Sequence, residues 1–158
     1  MKISCIQMDM RLGEVDCNVA HAQTLIRSAA EAEHPDVVVL PETWNTGYFP
    51  ADLASTADKD GARTKEVFSA LARELNVNIV CGSVANRKAD GFYNTAYVFD
   101  RTGAVIAEYD KTHLFTYARE HEYFRPGDHT CRFTLDGKSC GLIICYDLRF
   151  PELTRSMT

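Results

Sequence analysis

The sequence predicts an α/β fold, because short apolar runs alternate with amphipathic helical segments in its first half and hairpin signatures follow in its second half. The chain has 158 residues, of which 46% are hydrophobic and 25% are charged, so it is long enough to bury one substantial core. No linker-like or low-complexity tract interrupts it. We therefore expect residues 1–158 to form one continuous domain.

The first half of the chain predicts the order βαβαβ. An alternating segment forms the first strand, and apolar residues at helical spacing follow it until Pro35 ends the helix. The next run is β-branched and typical of a strand that is buried on both faces, and after it comes a loop with little periodicity. Strands are expected at residues 2–8, 36–40 and 78–82, helices from Val19 to Ala29 and from Val67 to Leu75, and the loop at residues 43–60.

The second half of the chain predicts two β-hairpins separated by a long polar loop. Turn sequences at residues 100–103 and at Asp136-Gly137 each lie between runs that favour strands. Pro151 begins the first turn of a further helix. The strands are expected at residues 93–99, 104–109, 131–135 and 139–144, the loop at residues 112–129, and Cys145 at the end of the last strand.

The charge pattern excludes several classes of function. The formal net charge is −5, and basic and acidic residues are interspersed, so there is no cationic stripe for a nucleic acid. No segment resembles a signal peptide or is long enough to span a membrane, which predicts a cytoplasmic protein whose six cysteines are thiols. Neither CxxC nor HExxH spacing occurs, so we expect no metal site.

Four side chains are candidates for chemistry. Cys145 lies where an apolar strand gives way to a helix start, where helix-end amides can lower the pKa of a thiol. Glu42 ends a buried strand, where a partly desolvated carboxylate suits proton transfer, and Lys111 ends another strand, where an ammonium can stabilise an oxyanion. Glu120 lies in the loop before Pro126-Gly127. Taken singly, each is more often an inert core or surface residue.

Together these residues lie in motifs that resemble the nitrilase (carbon-nitrogen hydrolase) superfamily in order and spacing. The resemblance extends from Met1 to the end of the chain and also includes the opening strand and Tyr93-Asn-Thr95. The motifs that carry it are Leu40-Pro-Glu42, Asn45-Thr-Gly-Tyr48, Tyr109-Asp-Lys111-Thr-His113-Leu-Phe, Glu120 seven residues before Gly127, and Gly141-Leu-Ile-Ile-Cys-Tyr-Asp-Leu-Arg-Phe-Pro-Glu152.

The resemblance implies a four-layer αββα sandwich, of which this chain is the N-terminal portion, incomplete at the C-terminus. It implies a catalytic set of Glu42, Lys111 and Cys145, assisted by Glu120, acting on a small-molecule amide without a cofactor. It also implies that the family domain continues beyond the nucleophile motif and that the complete domain forms a homodimer or larger assembly.

The branch of the superfamily is indicated by a few residues. Tyr146-Asp147 after the cysteine looks like the amidase branches, because true nitrilases usually carry Trp-Glu there. The loop after Trp44 looks like that of the omega-amidases, which act on 2-oxo-dicarboxylate monoamides. Arg149 is then a candidate to bind the substrate carboxylate, with an ion pair to Asp147 or Glu152 as an equal alternative. Tyr48 and the Tyr146 amide are further substrate-binding candidates, whereas Trp44 is expected in the core.

Other interpretations of the sequence stay open. An N-carbamoyl amidase, another aliphatic amidase or a nitrilase of the same superfamily is an alternative activity. A Cys-His-Asp hydrolase with His113 or His121 as its base is a second mechanism. A chain lacking the rest of the family domain could also be an inactive binding or association module with exposed strand edges.

Overall fold

The computed structural model describes all residues from Met1 to Thr158 and shows a mixed α/β fold. The 3₁₀ helices are Thr116–Ala118, Glu120–Glu122 and Cys145–Arg149. The other elements are β1 (Ile3–Cys5), α1 (Val15–Glu33), β2 (Val37–Val39), α2 (Leu53–Thr56), β3 (Asp58–Lys59), α3 (Ala62–Leu75), β4 (Asn78–Lys88), β5 (Gly91–Phe99), β6 (Val105–Asp110), β7 (Cys131–Leu135), β8 (Lys138–Leu142) and α4 (Pro151–Ser156).

The main sheet has the order β1-β2-β4-β5-β6, with β3 paired to β4. Strands β1, β2 and β4 are parallel, as the predicted βαβαβ order requires, and the hairpin connections make β5 and β6 antiparallel to their neighbours. Strands β2 and β6 therefore end at the same edge of the sheet. Strands β7 and β8 form a separate antiparallel pair.

Two hydrophobic cores arrange these elements in three layers. On one face of the main sheet, α1 and α3 bury residues such as Ile26 and Phe68. On the other face, Val98 of β5 packs in a cluster with Leu135 and Leu142 of the small sheet. A helical layer, a sheet and a second sheet are thus present in the order that the αββα expectation predicts.

The structure corrects several predicted boundaries. The segment predicted as a loop at residues 43–60 contains α2 and β3, because an Asp52 carboxylate accepts a hydrogen bond from the Ser55 amide and caps a short helix. Strand β4 continues to Lys88 instead of ending at residue 82, since a register shift between Val80 and Ser83 absorbs Gly82. The last strand stops at Leu142, two residues earlier than predicted.

Candidate active site

The structure brings Lys111 between Glu42 and Glu120. The Lys111 Nζ lies 2.7 Å from Glu42 Oε1 and 2.8 Å from Glu120 Oε2, and the lysine side chain is only 1% exposed. Burial opposes the ammonium charge, but hydrogen bonds and attraction from the two carboxylates outweigh it, so the pKa of Lys111 is raised. The site therefore holds a permanent cation between two carboxylates.

A close backbone approach positions Glu42. Gly82 adopts a φ of +53°, and a Cβ placed there would lie 2.0 Å from the carbonyl oxygen of Pro41. This carbonyl also accepts a hydrogen bond from the Ser83 amide, and the Ser83 hydroxyl accepts one from the Thr43 amide. A glycine at the bulge of β4 thus lets the chain pass close enough to fix the residues on both sides of Glu42.

The two other members of the cluster are held by the segments that follow β6. Lys111 directly follows β6, and its carbonyl accepts a hydrogen bond from the Gly127 amide. Glu120 begins a 3₁₀ helix, and its carboxylate accepts a 2.6 Å hydrogen bond from the Phe115 amide. The loop therefore folds back on itself through the Glu120 carboxylate, which accounts for the burial of that side chain.

Two further side chains complete the cluster. The side-chain amide nitrogen Nδ2 of Asn94, a residue of β5, donates hydrogen bonds to Glu42 Oε1 and to Glu120 Oε1, at 2.9 Å each. The Tyr48 hydroxyl donates to Glu42 Oε2 at 3.0 Å. Burial and the neighbouring Glu42 charge raise the pKa of Tyr48, so its hydroxyl stays protonated as a donor.

Cys145 begins the 3₁₀ helix after β8 and has a φ of +46°. This backbone conformation is unfavourable for a residue with a side chain, and such strain is typical of functional positions. The fully buried Asp147 carboxylate holds the turn, because it accepts hydrogen bonds from the amides of Ile144 and His113 and from the Tyr109 hydroxyl. The thiol is thereby presented on an exposed residue at a rigid turn.

The expectation of a lowered thiol pKa at Cys145 is wrong. Partial burial of the thiol, followed by the charge of Glu42, raises the pKa of Cys145 to about 11, although Lys111 acts in the opposite direction. The helix that was expected to lower it is a single 3₁₀ element of five residues. The resting site therefore contains a neutral thiol beside a carboxylate.

Glu42 and Cys145 line the same cavity. Its volume is about 200 Å³, and its walls are mainly apolar residues of β2, β4 and the segment after β8. A larger cavity of about 540 Å³ lies near the N-termini of α1 and α3 and contains none of the four candidate residues. The smaller cavity therefore marks the site.

The structure shows the surroundings of three further residues, Arg149, Tyr146 and Trp44. Arg149 is exposed and is paired with neither Asp147 nor Glu152, so the ion-pair alternative is wrong. The Tyr146 ring packs against Phe115, with ring centroids 5.0 Å apart. Trp44 is fully buried in the first core, as expected.

The His113 side chain belongs to the turn that carries Cys145. Its Nδ1 lies 2.9 Å from Asp147 Oδ1, and its ring stacks on Phe150. Neither His113 nor His121 forms a hydrogen bond with Cys145, whose strongest electrostatic neighbours are Glu42 and Lys111. The geometry favours the Glu-Lys-Cys arrangement over a Cys-His-Asp triad.

Sequence reasoning did not assign roles to Asn94 and Asp147. In the sequence, Asn94 is part of the Tyr93-Asn-Thr95 motif, and Asp147 is a marker of the amidase branch and a possible partner for Arg149, but neither has a predicted role in holding the site. The available signal was a polar residue within or next to an apolar strand segment, which requires a buried partner. The structure also contains no cluster of three or more side chains suited to a metal, and no helix with the length and hydropathy of a membrane span.

The protein thus has a layered α/β fold and a polar site in which a cysteine thiol lies beside a buried cluster of two glutamates and a lysine. The model of the carbon-nitrogen hydrolase family matches residues 2–158, and the chain belongs to this family. It is 44% identical to a 2-oxoglutaramate amidase of Bacillus subtilis over 99% of this chain and 60% of the relative. It is 32% identical to the human omega-amidase NIT2 over 98% of this chain and 58% of the relative.

Solved structures agree with this assignment. A CN-hydrolase superfamily protein from Xanthomonas campestris superposes with a TM-score of 0.87 at 29% identity, covering 96% of this chain and 56% of that one. Nit3 of Saccharomyces cerevisiae, a member of the nitrilase superfamily, superposes with a TM-score of 0.87 at 28% identity, covering 99% of this chain and 59% of that one. The chain thus spans about 60% of the length of the curated relatives it matches.

Proposed function

We propose that the whole protein is an amidase that releases ammonia from a small 2-oxo-dicarboxylate monoamide through a thioester on Cys145. The observation that carries the proposal is that Cys145 and Glu42 line one cavity, with the Glu42 carboxylate paired to Lys111 at 2.7 Å. The similarity to a 2-oxoglutaramate amidase supports the substrate class.

The first half of the reaction forms the thioester. Glu42 takes the proton of the thiol as the Cys145 sulfur attacks the amide carbonyl carbon, and the negative charge moves to the carbonyl oxygen. Lys111 and the Tyr146 amide, which lies in the unpaired first turn of the 3₁₀ helix, stabilise this oxyanion. The carbon-nitrogen bond then breaks, the nitrogen receives the proton from Glu42, and ammonia leaves.

The second half of the reaction hydrolyses the thioester. Glu42 takes a proton from a water molecule while the water oxygen attacks the thioester carbonyl carbon, and the carbon-sulfur bond then breaks. The proton then returns from Glu42 to the Cys145 sulfur, which restores the thiol and leaves the free acid. The raised pKa of Cys145 supports this sequence, because a thiol that keeps its proton at rest needs a base during the attack.

Glu120 has a supporting role in this scheme. Its carboxylate shares Lys111 with Glu42 and accepts a hydrogen bond from the Phe115 amide, so it orients the lysine and does not contact the thiol. A lysine fixed between two acceptors presents its remaining hydrogen in one direction. We propose that this direction is the oxyanion position.

Tyr48, Tyr146 and Arg149 are proposed as substrate-binding residues. The Tyr48 hydroxyl contacts Glu42 at the site, and Tyr146 and Arg149 belong to the same 3₁₀ helix as Cys145. The guanidinium of Arg149 has no carboxylate partner in the chain, so it is free to bind the substrate carboxylate in a bidentate pair. We further propose a cytoplasmic homo-oligomer that binds neither nucleic acid nor membrane, in keeping with its net charge of −5.

The proposal is tested by ammonia release from 2-oxoglutaramate, with glutamine and a simple nitrile as comparison substrates. We expect release from the oxo-amide in the whole protein and none after Cys145→Ala. A whole protein that releases ammonia from no amide would contradict the proposal and favour the binding-module alternative. A Cys145→Ala variant with full activity would contradict the role of Cys145 as nucleophile.

A further inference from the structure

We propose that Asn94 is a positioning residue that holds the Glu42 and Glu120 carboxylates together and leaves Glu42 Oε2 as the atom that accepts the Cys145 proton. This inference rests on the proposed function, because it concerns which oxygen of the base is used. Its evidence is the hydrogen-bond geometry of the cluster.

Asn94 uses both hydrogens of its amide nitrogen on the two carboxylates. The nitrogen lies 2.9 Å from Glu42 Oε1 and 2.9 Å from Glu120 Oε1. A side-chain amide has two N–H donors, so its donor capacity is filled. Asn94 thus bridges two anions that share the single cation of Lys111.

Within Glu42, the distribution of hydrogen-bond donors singles out one of the two carboxylate oxygens. Glu120 Oε2 accepts from Lys111 and from the Phe115 amide, and Glu42 Oε1 accepts from Lys111 and Asn94. Glu42 Oε2 receives only the Tyr48 hydroxyl, at 3.0 Å. Since a carboxylate oxygen has two lone pairs, Oε2 keeps the capacity to accept a further proton.

The fold holds Asn94 rigidly in this orientation. Its side chain is buried within β5, and Asn94 pairs with Ala85 of β4. The main-chain carbonyl of Asn94 accepts a hydrogen bond from the main-chain amide of Lys111. The side-chain Oδ1 is buried without any hydrogen-bond partner. An unpaired buried oxygen is unfavourable, but a flipped amide would direct that oxygen at two carboxylates, so the two bridging bonds decide the orientation.

An asparagine suits this position because it is neutral. A second cation would stabilise the Glu42 carboxylate and weaken it as a base, and a third carboxylate would add repulsion. A bridging amide counters the repulsion between Glu42 and Glu120 without adding charge. Loss of the bridge is therefore expected to favour protonation of the carboxylate pair at higher pH.

The experiment compares Asn94→Ala with Asn86→Ala in the whole protein. Asn86 is also a buried asparagine of the same sheet, but its side chain contacts Thr95, Tyr97 and the Gly61 amide instead of the two glutamates. We expect Asn94→Ala to lower kcat/KM for 2-oxoglutaramate by about 10- to 100-fold and to move the acid limb of its pH profile to higher pH. Asn86→Ala should lower the Tm and leave the pH profile unchanged.

A second measurement separates this inference from the proposed function. NMR titration of ¹³C-labelled glutamate side chains follows the Glu42–Glu120 pair without any substrate. A titration that moves to higher pH in Asn94→Ala supports the inference even if no amide is hydrolysed. Amidase activity with an unmoved titration and pH profile would overturn the inference and leave the function standing. Asn94→Ser, which keeps one donor, serves if Asn94→Ala does not fold, and a smaller shift in the same direction is expected.

Discussion

The sheet carries two clusters in which a lysine contacts two carboxylates, and only one of them adjoins a thiol. Lys88 Nζ lies 2.8 Å from Glu108 Oε1 and 2.7 Å from Asp110 Oδ2, which closely matches the distances from Lys111 to Glu42 and Glu120. In both clusters burial opposes the charge, the carboxylates outweigh it, and the lysine pKa is raised. Ion-pair geometry alone therefore does not identify the site.

The difference lies in burial and in the neighbouring groups. The side chain of Lys88 is 25% exposed and that of Glu108 is 38% exposed, whereas Lys111 is 1% exposed. Lys65 adds a second cation to Glu108, so the Lys88 cluster is nearly balanced in charge. The Lys111 cluster has two carboxylates for one cation, a neutral amide bridge and a thiol whose pKa it raises. Excess negative charge beside a protonated thiol is what general-base chemistry needs.

The largest difference between the clusters, in stability and activity together, is expected from removing each lysine. Lys111→Met leaves two buried carboxylates unpaired and should lower the free energy of unfolding by about 3–5 kcal/mol and kcat/KM by about 10³-fold. Lys88→Met should cost less, about 1–2 kcal/mol, because Lys88 and Glu108 are partly exposed and only Asp110 is buried, and it should keep full activity. Chemical denaturation and ammonia release measure both effects, and equal losses in the two variants would remove the distinction.

Replacing one carboxylate in each cluster isolates its chemical role. Glu42→Gln keeps the shape of the side chain but removes the base, so kcat should fall by about 10²- to 10⁴-fold. The matched variant Glu108→Gln should leave kcat unchanged, since Glu108 contacts only lysines at the surface. Steady-state kinetics at pH 7 to 8 measure the change, and a Glu42→Gln enzyme with normal kcat would exclude this carboxylate as the base.

The alkylation rate of the Cys145 thiol should rise in Glu42→Gln, the variant in which kcat should fall. In the unmodified protein the pKa of Cys145 is about 11, so alkylation by iodoacetamide should accelerate as the pH rises toward that value. Glu42→Gln removes a negative neighbour, which lowers the pKa of Cys145 and raises the thiolate fraction. Alkylation of Cys145 at pH 8 should therefore become faster in Glu42→Gln and stay unchanged in Glu108→Gln. Mass spectrometry of the labelled peptide measures the rate, and a slower reaction in Glu42→Gln would contradict the electrostatic account.

The smallest effect is expected at the substrate carboxylate. Arg149→Gln should raise KM for 2-oxoglutaramate by about 10-fold, because one charge-assisted bidentate pair is lost, and should not affect a neutral amide. Arg155→Gln is the matched control, since Arg155 is also exposed and lies in the adjacent helix α4. An equal change for charged and neutral amides would assign Arg149 to general binding.

The sequence predicted the order of the long elements and the membership of the cluster, for identifiable reasons. Apolar periodicity specified α1 and α3, and β-branched runs specified β2 and the start of β4. Glu42, Lys111 and Glu120 are grouped by family resemblance, and the structure places Lys111 within hydrogen-bond distance of both glutamates.

Features that depend on tertiary contacts could not be predicted in this way. The extension of β4 past Gly82 follows from pairing with β5 across a bulge, and β3 is stable only because it pairs with β4. The raised pKa of Cys145 depends on the Glu42 carboxylate that the fold brings beside it, and the bridging role of Asn94 depends on two carboxylates from different loops. Local patterns carry no information on such encounters.

The most direct test of the central claim is to trap the thioester. The whole protein is mixed with 2-oxoglutaramate, quenched in acid within milliseconds to seconds, and digested for mass spectrometry. We expect an acyl group on the peptide that contains Cys145, its disappearance over the time course as the free acid forms, and no adduct in Cys145→Ala. Ammonia release that continues in Cys145→Ala, or an acyl group carried by any other cysteine, would contradict the account.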